Sequence, residues 1–251
     1  PFDVDRDYEL PKTMDFRDLH REIKNADMLV CFGGDGTILH ASKIATAHGL
    51  PILGVNIGTM GFIAELEAGE LELLRKLPTG DYTLEPRSMI DVTVTGANGQ
   101  KLLHETALND AVVTKGAIAR VVQVSVYCDN VEATSFSGDG VIISTPTGST
   151  AYSFSAGGPV LDAAADVVVL TPVCAHNAQV APLVFAAGRR LELVADAENR
   201  DTCYACADST AQCDLQPGDV LTVTAAPQKL QLITFYDSEQ FHAIENKLMR
   251  S

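Results

Sequence analysis

The chain has 251 residues and carries 33 acidic against 18 basic side chains, a formal charge of −15. Such a balance excludes a nucleic-acid surface and adhesion to anionic membrane, so an anionic substrate has to be handled by local groups. No apolar run is long enough to span a membrane and nothing near Pro1 resembles a signal peptide, which predicts a soluble, cytoplasmic protein. The opening Pro1-Phe2-Asp3, without an initiator Met, places the natural start upstream.

In chain order, an apolar strand is expected over 28–32, a helix over 38–48 and a second strand over 52–56 after the Gly49-Leu50-Pro51 break. Alternation of this kind is the pattern of a parallel sheet. A second helix is predicted over 65–77, closed by Pro78-Thr79-Gly80. From Met89 the pattern changes to alternating strands: 89–95 and 101–108 form a hairpin across Ala97-Asn98-Gly99. Further strands are expected over 121–127, 132–136, 141–145, 167–171, 190–194, 201–207, 220–225 and 230–235, and a helix over 238–250. The divisions are therefore 1–85 as an α/β domain, 86–235 as an all-β domain, and 236–251 as a segment returning to the first.

The first strand ends abruptly in Gly33-Gly34-Asp35-Gly36-Thr37, directly before the first helix. Glycines there let backbone amides approach a ligand at a helix N-terminus, which suits phosphate. A carboxylate among such amides opposes the anion unless it takes a proton or binds a metal, so phosphoryl transfer is the economical reading. The plain alternative is a strand-to-helix turn with Asp35 as its cap. A second cluster, Asn56-Ile57-Gly58-Thr59-Met60-Gly61-Phe62, follows the next strand and belongs beside the first at the same sheet edge. In the β half stand Leu108-Asn109-Asp110 and the hydroxyl- and glycine-rich run from Gly138-Asp139-Gly140 to Gly157-Gly158-Pro159. That run contains Thr150, Ala151, Tyr152, Ser153 and Ser155, groups suited to a flat polar ligand such as a nucleotide. The six cysteines fit reduced thiols better than a disulfide framework. Cys203, Cys206 and Cys213 form an incomplete zinc pattern with no fourth ligand nearby, so no metal site is assigned to protein side chains. The six histidines share no ligand spacing.

These four segments, in this order, resemble the signature segments of NAD kinases, and the resemblance spans about residues 26–235. The Gly-Gly-Asp-Gly loop alone is shared with diacylglycerol and sphingosine kinases and phosphofructokinases; Thr145-Pro146-Thr147-Gly148-Ser149-Thr150-Ala151-Tyr152 is specific. The resemblance implies a Rossmann-like N-terminal domain, an all-β C-terminal domain and an active site in the cleft between them. It implies phosphorylation of the 2′-hydroxyl of the adenosine ribose of NAD to give NADP, with ATP or polyphosphate as donor and Mg²⁺ or another divalent cation. Asp35 would be the general base; Gly33, Gly34, Gly36, Thr37 and Asn56 would line the loops on the nucleotide, with Phe62 near the adenine. Asn109 and Asp110 would hold the adenosine ribose, Arg120 would touch the ligand, and Asp139, Thr150, Ala151, Tyr152, Ser153 and Ser155 would line the dinucleotide site. It further implies a homodimer or homotetramer with shared active sites, and a first strand and helix lying before Pro1. The chain departs from the family at Ser137, at Asp208-Ser209-Thr210 in place of Asp-Gly-Gln, and at Ala175 and Ala181 in place of proline and arginine. The alternatives are a lipid kinase with the same loop and a catalytically silent NAD-binding sensor.

Overall fold

A computed structural model describes residues 18–58, 61–116, 120–176, 180–196 and 203–236. The expected helix over 238–250 lies outside them. After a short helix α1 (Leu19–Glu22), strand β1 (Leu29–Gly33) runs into helix α2 (Asp35–His48), and β2 (Ile52–Asn56) pairs with β1 in parallel register, Gly33 opposite Asn56. Ile38, Ala41 and Ala45 give α2 a fully buried stripe, and Gly49 ends the helix in the left-handed conformation at φ 67°.

The helix expected over 65–77 is corrected. Leu66 and Glu67 form a two-residue strand β3 on β2, and residues Ala68–Thr79 wind as 3₁₀ helix rather than α-helix. Leu66 is held by the ladder, while Leu74 and Leu77 recur at the spacing of three that a 3₁₀ turn places on one side, against Val55 and Ile233. Strand β4 (Thr83–Arg87) follows.

The remaining strands are β5 (Ile90–Thr95), β6 (Lys101–Ala107), β7 (Asp110–Lys115), β8 (Val122–Cys128), β9 (Val131–Gly138) and β10 (Gly140–Ser144). A one-turn helix α3 (Tyr152–Ser155) precedes β11 (Val167–Val173), β12 (Leu183–Ala186), β13 (Leu191–Ala195), β14 (Cys203–Ala207), β15 (Ala211–Leu215), β16 (Val220–Ala225) and β17 (Leu230–Thr234). Two six-stranded sheets, β12-β11-β10-β7-β14-β15 and β6-β5-β16-β13-β8-β9, face one another. Their alternating inner residues, including Val92, Val113, Val124, Ile143, Leu193 and Ala205, close one apolar core. Strand β17 does not join them. It lies in the first sheet, between β2 and β4, parallel to one and antiparallel to the other.

The two parts meet through apolar side chains. Leu108 and Met89, which flank the β5–β6 hairpin, are buried with Cys31, Ile38, Ala41, Ile52 and Ile63 in the core beneath α2. This packing carries the Leu108-Asn109-Asp110 turn up to the helix that begins at Asp35.

Candidate active site

Asp35 is the first residue of α2, and Gly34, with extended backbone, occupies the cap position. The plain cap reading of Asp35 is therefore replaced by another arrangement. Its carboxylate accepts the amides of Phe62 at 3.1 and 3.0 Å and of Ile63 at 3.2 Å, so the second glycine loop is folded onto the first. Asn56 is buried between them: its Oδ1 accepts the Gly58 amide at 3.0 Å and its Nδ2 donates to Glu67 at 2.9 Å. Gly61 packs against Asn56 and Asp35.

The glycines of the first loop differ in kind. A Cβ on Gly33 would lie 2.3 Å from Thr37 Oγ1, so its smallness is an internal need that fixes Thr37. Gly34 and Gly36 have negative-φ or helical backbone, and a Cβ at either would meet nothing within 4 Å. Neither needs to be glycine for the fold itself, and both face open space. Phe62 is half-buried, with its backbone in the Asp35 contact.

The second group gathers at one end of the sheet. Asp110 starts β7 opposite Ser144 of β10, next to Ala207 at the end of β14 through Ala111. Asp208, at φ 48°, follows β14 and points its carboxylate back under the turn, accepting the amides of Leu108 at 2.8 Å, Asn109 at 2.8 Å and Asp110 at 3.1 Å. The far wall of the turn is the segment after β10: Thr145 hydroxyl donates to the Leu108 carbonyl, Thr145 N to the Asn109 carbonyl, and Gly148 sits so close that its Cβ would lie 2.2 Å from that oxygen. Here glycine is required by contact with backbone.

So clamped, Asn109 presents a buried Oδ1 that has no hydrogen-bond partner among the described residues. Asp110 is 4% exposed and its carboxylate makes no hydrogen bond among the described residues; burial, and then the facing charge of Asp208, push its pKa up to about 7. Burial also raises Asp208, against the three amides and the Lys43 charge that lower it. An unpartnered amide oxygen beside a buried carboxyl calls for hydrogen-bonding groups from outside the protein.

By strand alternation Asp110, Val112 and Thr114 lie on the outer face of the sheet, away from the sandwich core that takes Ala111 and Val113. Tyr152, at the start of α3, is 45% exposed. Burial raises its hydroxyl pKa, and the charges of Cys174, Asp139, Asp110 and Cys206 raise it further. Asp139 is at the other end, ion-paired to Lys115 at 2.6 Å. Ser153 is different from the sequence expectation: it is fully buried and shares a 2.8 Å hydrogen bond with Thr171, which anchors α3 on β11. Thr150 donates to the Thr147 carbonyl at 3.2 Å, Ser155 to the Ala151 carbonyl at 3.5 Å, and Ala151 caps α3. Arg120 is exposed beyond the end of β7. Thr59 and Met60 lie outside the described residues.

In sequence Asp208 reads only as part of a departure from the family motif, and its clamping task is not visible there. The partners lie 98–100 positions away, and only strand pairing brings them together. Among the described residues no three His, Cys, Asp or Glu side chains gather as a metal site, and no disulfide joins any of the six cysteines.

Family comparisons cover both parts. The family described as the ATP-NAD kinase N-terminal domain matches residues 6–82 and the ATP-NAD kinase C-terminal domain matches 108–235. The chain is 40% identical over 228 residues to an NAD kinase of Moorella thermoacetica, covering 90% of this chain and 72% of that protein. It is 37% identical over 227 residues to one of Tolumonas auensis, covering 90% and 77%. Among solved structures, an NAD kinase from Archaeoglobus fulgidus in complex with ATP aligns with TM-score 0.72 at 25% identity, covering 92% of this chain and 86% of that one. Yeast NADH kinase complexed with NADH shares the fold, with TM-score 0.83 at 22% identity over 90% of this chain and 67% of that one.

Proposed function

We infer the chemistry of the site from one premise: this chain belongs to the NAD kinase family, has its two-domain fold, and is a kinase acting on NAD. The first part is taken as Rossmann-like, with the active site in the cleft where α2 meets the Leu108 turn. The observation that carries the reading of the site is the buried pair Asn109 Oδ1 and Asp110, without hydrogen-bond partners among the described residues, on the turn that packs against the helix beginning at Asp35. Ribose hydroxyls and an adenine amino group are the donors that such acceptors lack.

In this arrangement the amides of Phe62 and Ile63 hold the Asp35 carboxylate in one orientation, and Oδ2, which accepts only the Phe62 amide, keeps acceptor capacity for a third party. Asp35 takes the proton of the 2′-hydroxyl as that oxygen attacks the donor's terminal phosphorus and the phosphoryl group leaves its diphosphate. Gly34 and Gly36 leave room for the donor's phosphates against the amides at the start of α2. ATP is the donor, as the ATP-bound relative supports, and it brings its divalent cation as part of the substrate. Tyr152 covers the dinucleotide on the outer face of the sheet. Between Asp110 and Asp139 that face spans about 16 Å at 3.3 Å per residue, room for two joined nucleotides. Cysteines without disulfides support a reducing, cytoplasmic setting, and no described helix is long and apolar enough to cross a membrane.

The test is an assay of purified protein with NAD, Mg²⁺ and either ATP or polyphosphate, with NADP detected directly. NADP from ATP supports the reading. Product from polyphosphate alone would overturn the donor assignment, and no product from either would overturn the mechanism.

A further inference from the structure

The structure assigns Lys43 a positioning role: it ties the helix that carries Asp35 to the turn that carries Asn109 and Asp110, an inference that rests on the kinase reading above. Lys43 lies two turns into α2. Its ammonium donates to Glu105 Oε2 at 3.0 Å and to Thr210 Oγ1 at 2.8 Å. Glu105 is on β6, three residues before Leu108; Thr210 is two residues after Asp208, in the turn between β14 and β15. One side chain therefore joins three segments, each of which carries part of the site.

The other contacts of α2 with this turn are apolar packing of Ile38, Ala41 and Ala45 against Leu108 and Met89 and a weak hydrogen bond from the Thr46 hydroxyl to the Met89 sulfur at 3.5 Å. Apolar contact holds surfaces together without fixing their sliding or rotation, whereas charge-assisted hydrogen bonds to two acceptors on different strands do fix it. The distance from the Asp35 carboxylate to the ribose held by Asp110 depends on that setting. The Lys43 charge also lowers the Asp208 carboxylate, which clamps the turn. The pair stands at the wall of an open groove of about 340 Å³ lined by Thr46, His104, Glu105 and Gln228, with the side chains of Lys43 and Glu105 23% and 35% exposed. An ion pair so reached by water adds little to stability, so a defect on its removal reports geometry.

The experiment compares the parent with Lys43→Met, Lys43→Arg, Glu105→Gln, Thr210→Val and the double variant Lys43→Met/Glu105→Gln, in kcat, KM for NAD and Tm. For Lys43→Met we expect kcat/KM for NAD to fall roughly 10–100-fold, the effect of misplacing reacting groups by a fraction of an ångström to an ångström, with Tm nearly unchanged. Lys43→Arg should restore most of the loss, and the double variant should be no worse than Lys43→Met. Kinetics of Lys43→Met within about twofold of the parent would overturn the inference, whatever happens to Tm. Should Lys43→Met not fold, Glu105→Gln and Thr210→Val decide on the same criterion. A parent that forms no NADP would instead overturn the kinase reading.

Discussion

Asp35 and Asp110 are both carboxylates, yet their surroundings give them different work. Asp35 is oriented by two amides at the start of a helix and is half-buried; Asp110 is sealed in and has no donor among the described residues. Asp35→Asn keeps size but cannot take a proton, so kcat should fall by about 10²–10⁴ while NAD affinity, read by calorimetry, changes little. Near-normal turnover would leave the loop as a phosphate cradle only. Asp110→Ala should instead weaken NAD binding by about 1.5–3 kcal/mol. Its raised pKa gives a second readout. With the folded value near 7 against the ordinary 3.8 of an unfolded chain, protonated Asp110 favours the fold, and this contribution, full below pH 3.8, is lost as pH rises through about 7. Ribose hydroxyls favour the ionised form, so NAD binding near pH 7 should release protons from the Asp110–Asp208 pair. Calorimetry in buffers of different ionisation enthalpy measures this, and the release should vanish in Asp110→Asn.

The glycines of the first loop separate fold from function within one element. Gly33→Ala would drive a methyl into Thr37 and should destabilise the protein by about 1–3 kcal/mol. Gly36→Ala sits in the first turn of α2 with free space around it, so it should stabilise the fold by up to about 1 kcal/mol. If phosphates occupy that space, the same substitution lowers kcat/KM. A more stable and fully active Gly36→Ala would move the donor elsewhere. Much of this element is legible in the sequence, because β1, α2 and β2 each carry a clear apolar period and the loop residues are contiguous. Strand β7 is not, since Asp-Ala-Val-Val-Thr-Lys at the centre of a sheet is buried on both faces over its first four residues and shows no alternation. The 3₁₀ run over Ala68–Thr79 reads as α-helix because leucines three and four apart fit either period until packing selects one. The partner of β17 is equally hidden, since strand pairing across the chain leaves no local mark, and the same holds for Asp208 and Lys43, whose partners are long-range.

At the scale of the whole molecule, the surface of the two sheets bears on assembly. Of the strands at the sheet edges, β9 and β12 have one side without a strand partner among the described residues, and Val131 on β9 and Val184 on β12 are 69% and 52% exposed. Tyr152 and Phe154, on α3, add exposed aromatic area next to the proposed dinucleotide face. Open edges with apolar side chains are ordinarily covered, and a second copy of the chain covers them with closed symmetry at little cost. A net charge of −15 opposes association through long-range repulsion, which salt screens, so the apolar area rather than charge has to hold the copies together. Sedimentation at micromolar concentration should therefore show a dimer or tetramer, and more of it as salt rises from about 0.01 to 0.15 M. If a partner also completes the dinucleotide site, activity per chain should fall on dilution below the dissociation constant of the assembly, and KM for NAD should rise in step with the monomer fraction. A monomer that makes NADP at full rate would show that each chain carries a complete site and that the exposed aromatics serve the ligand alone.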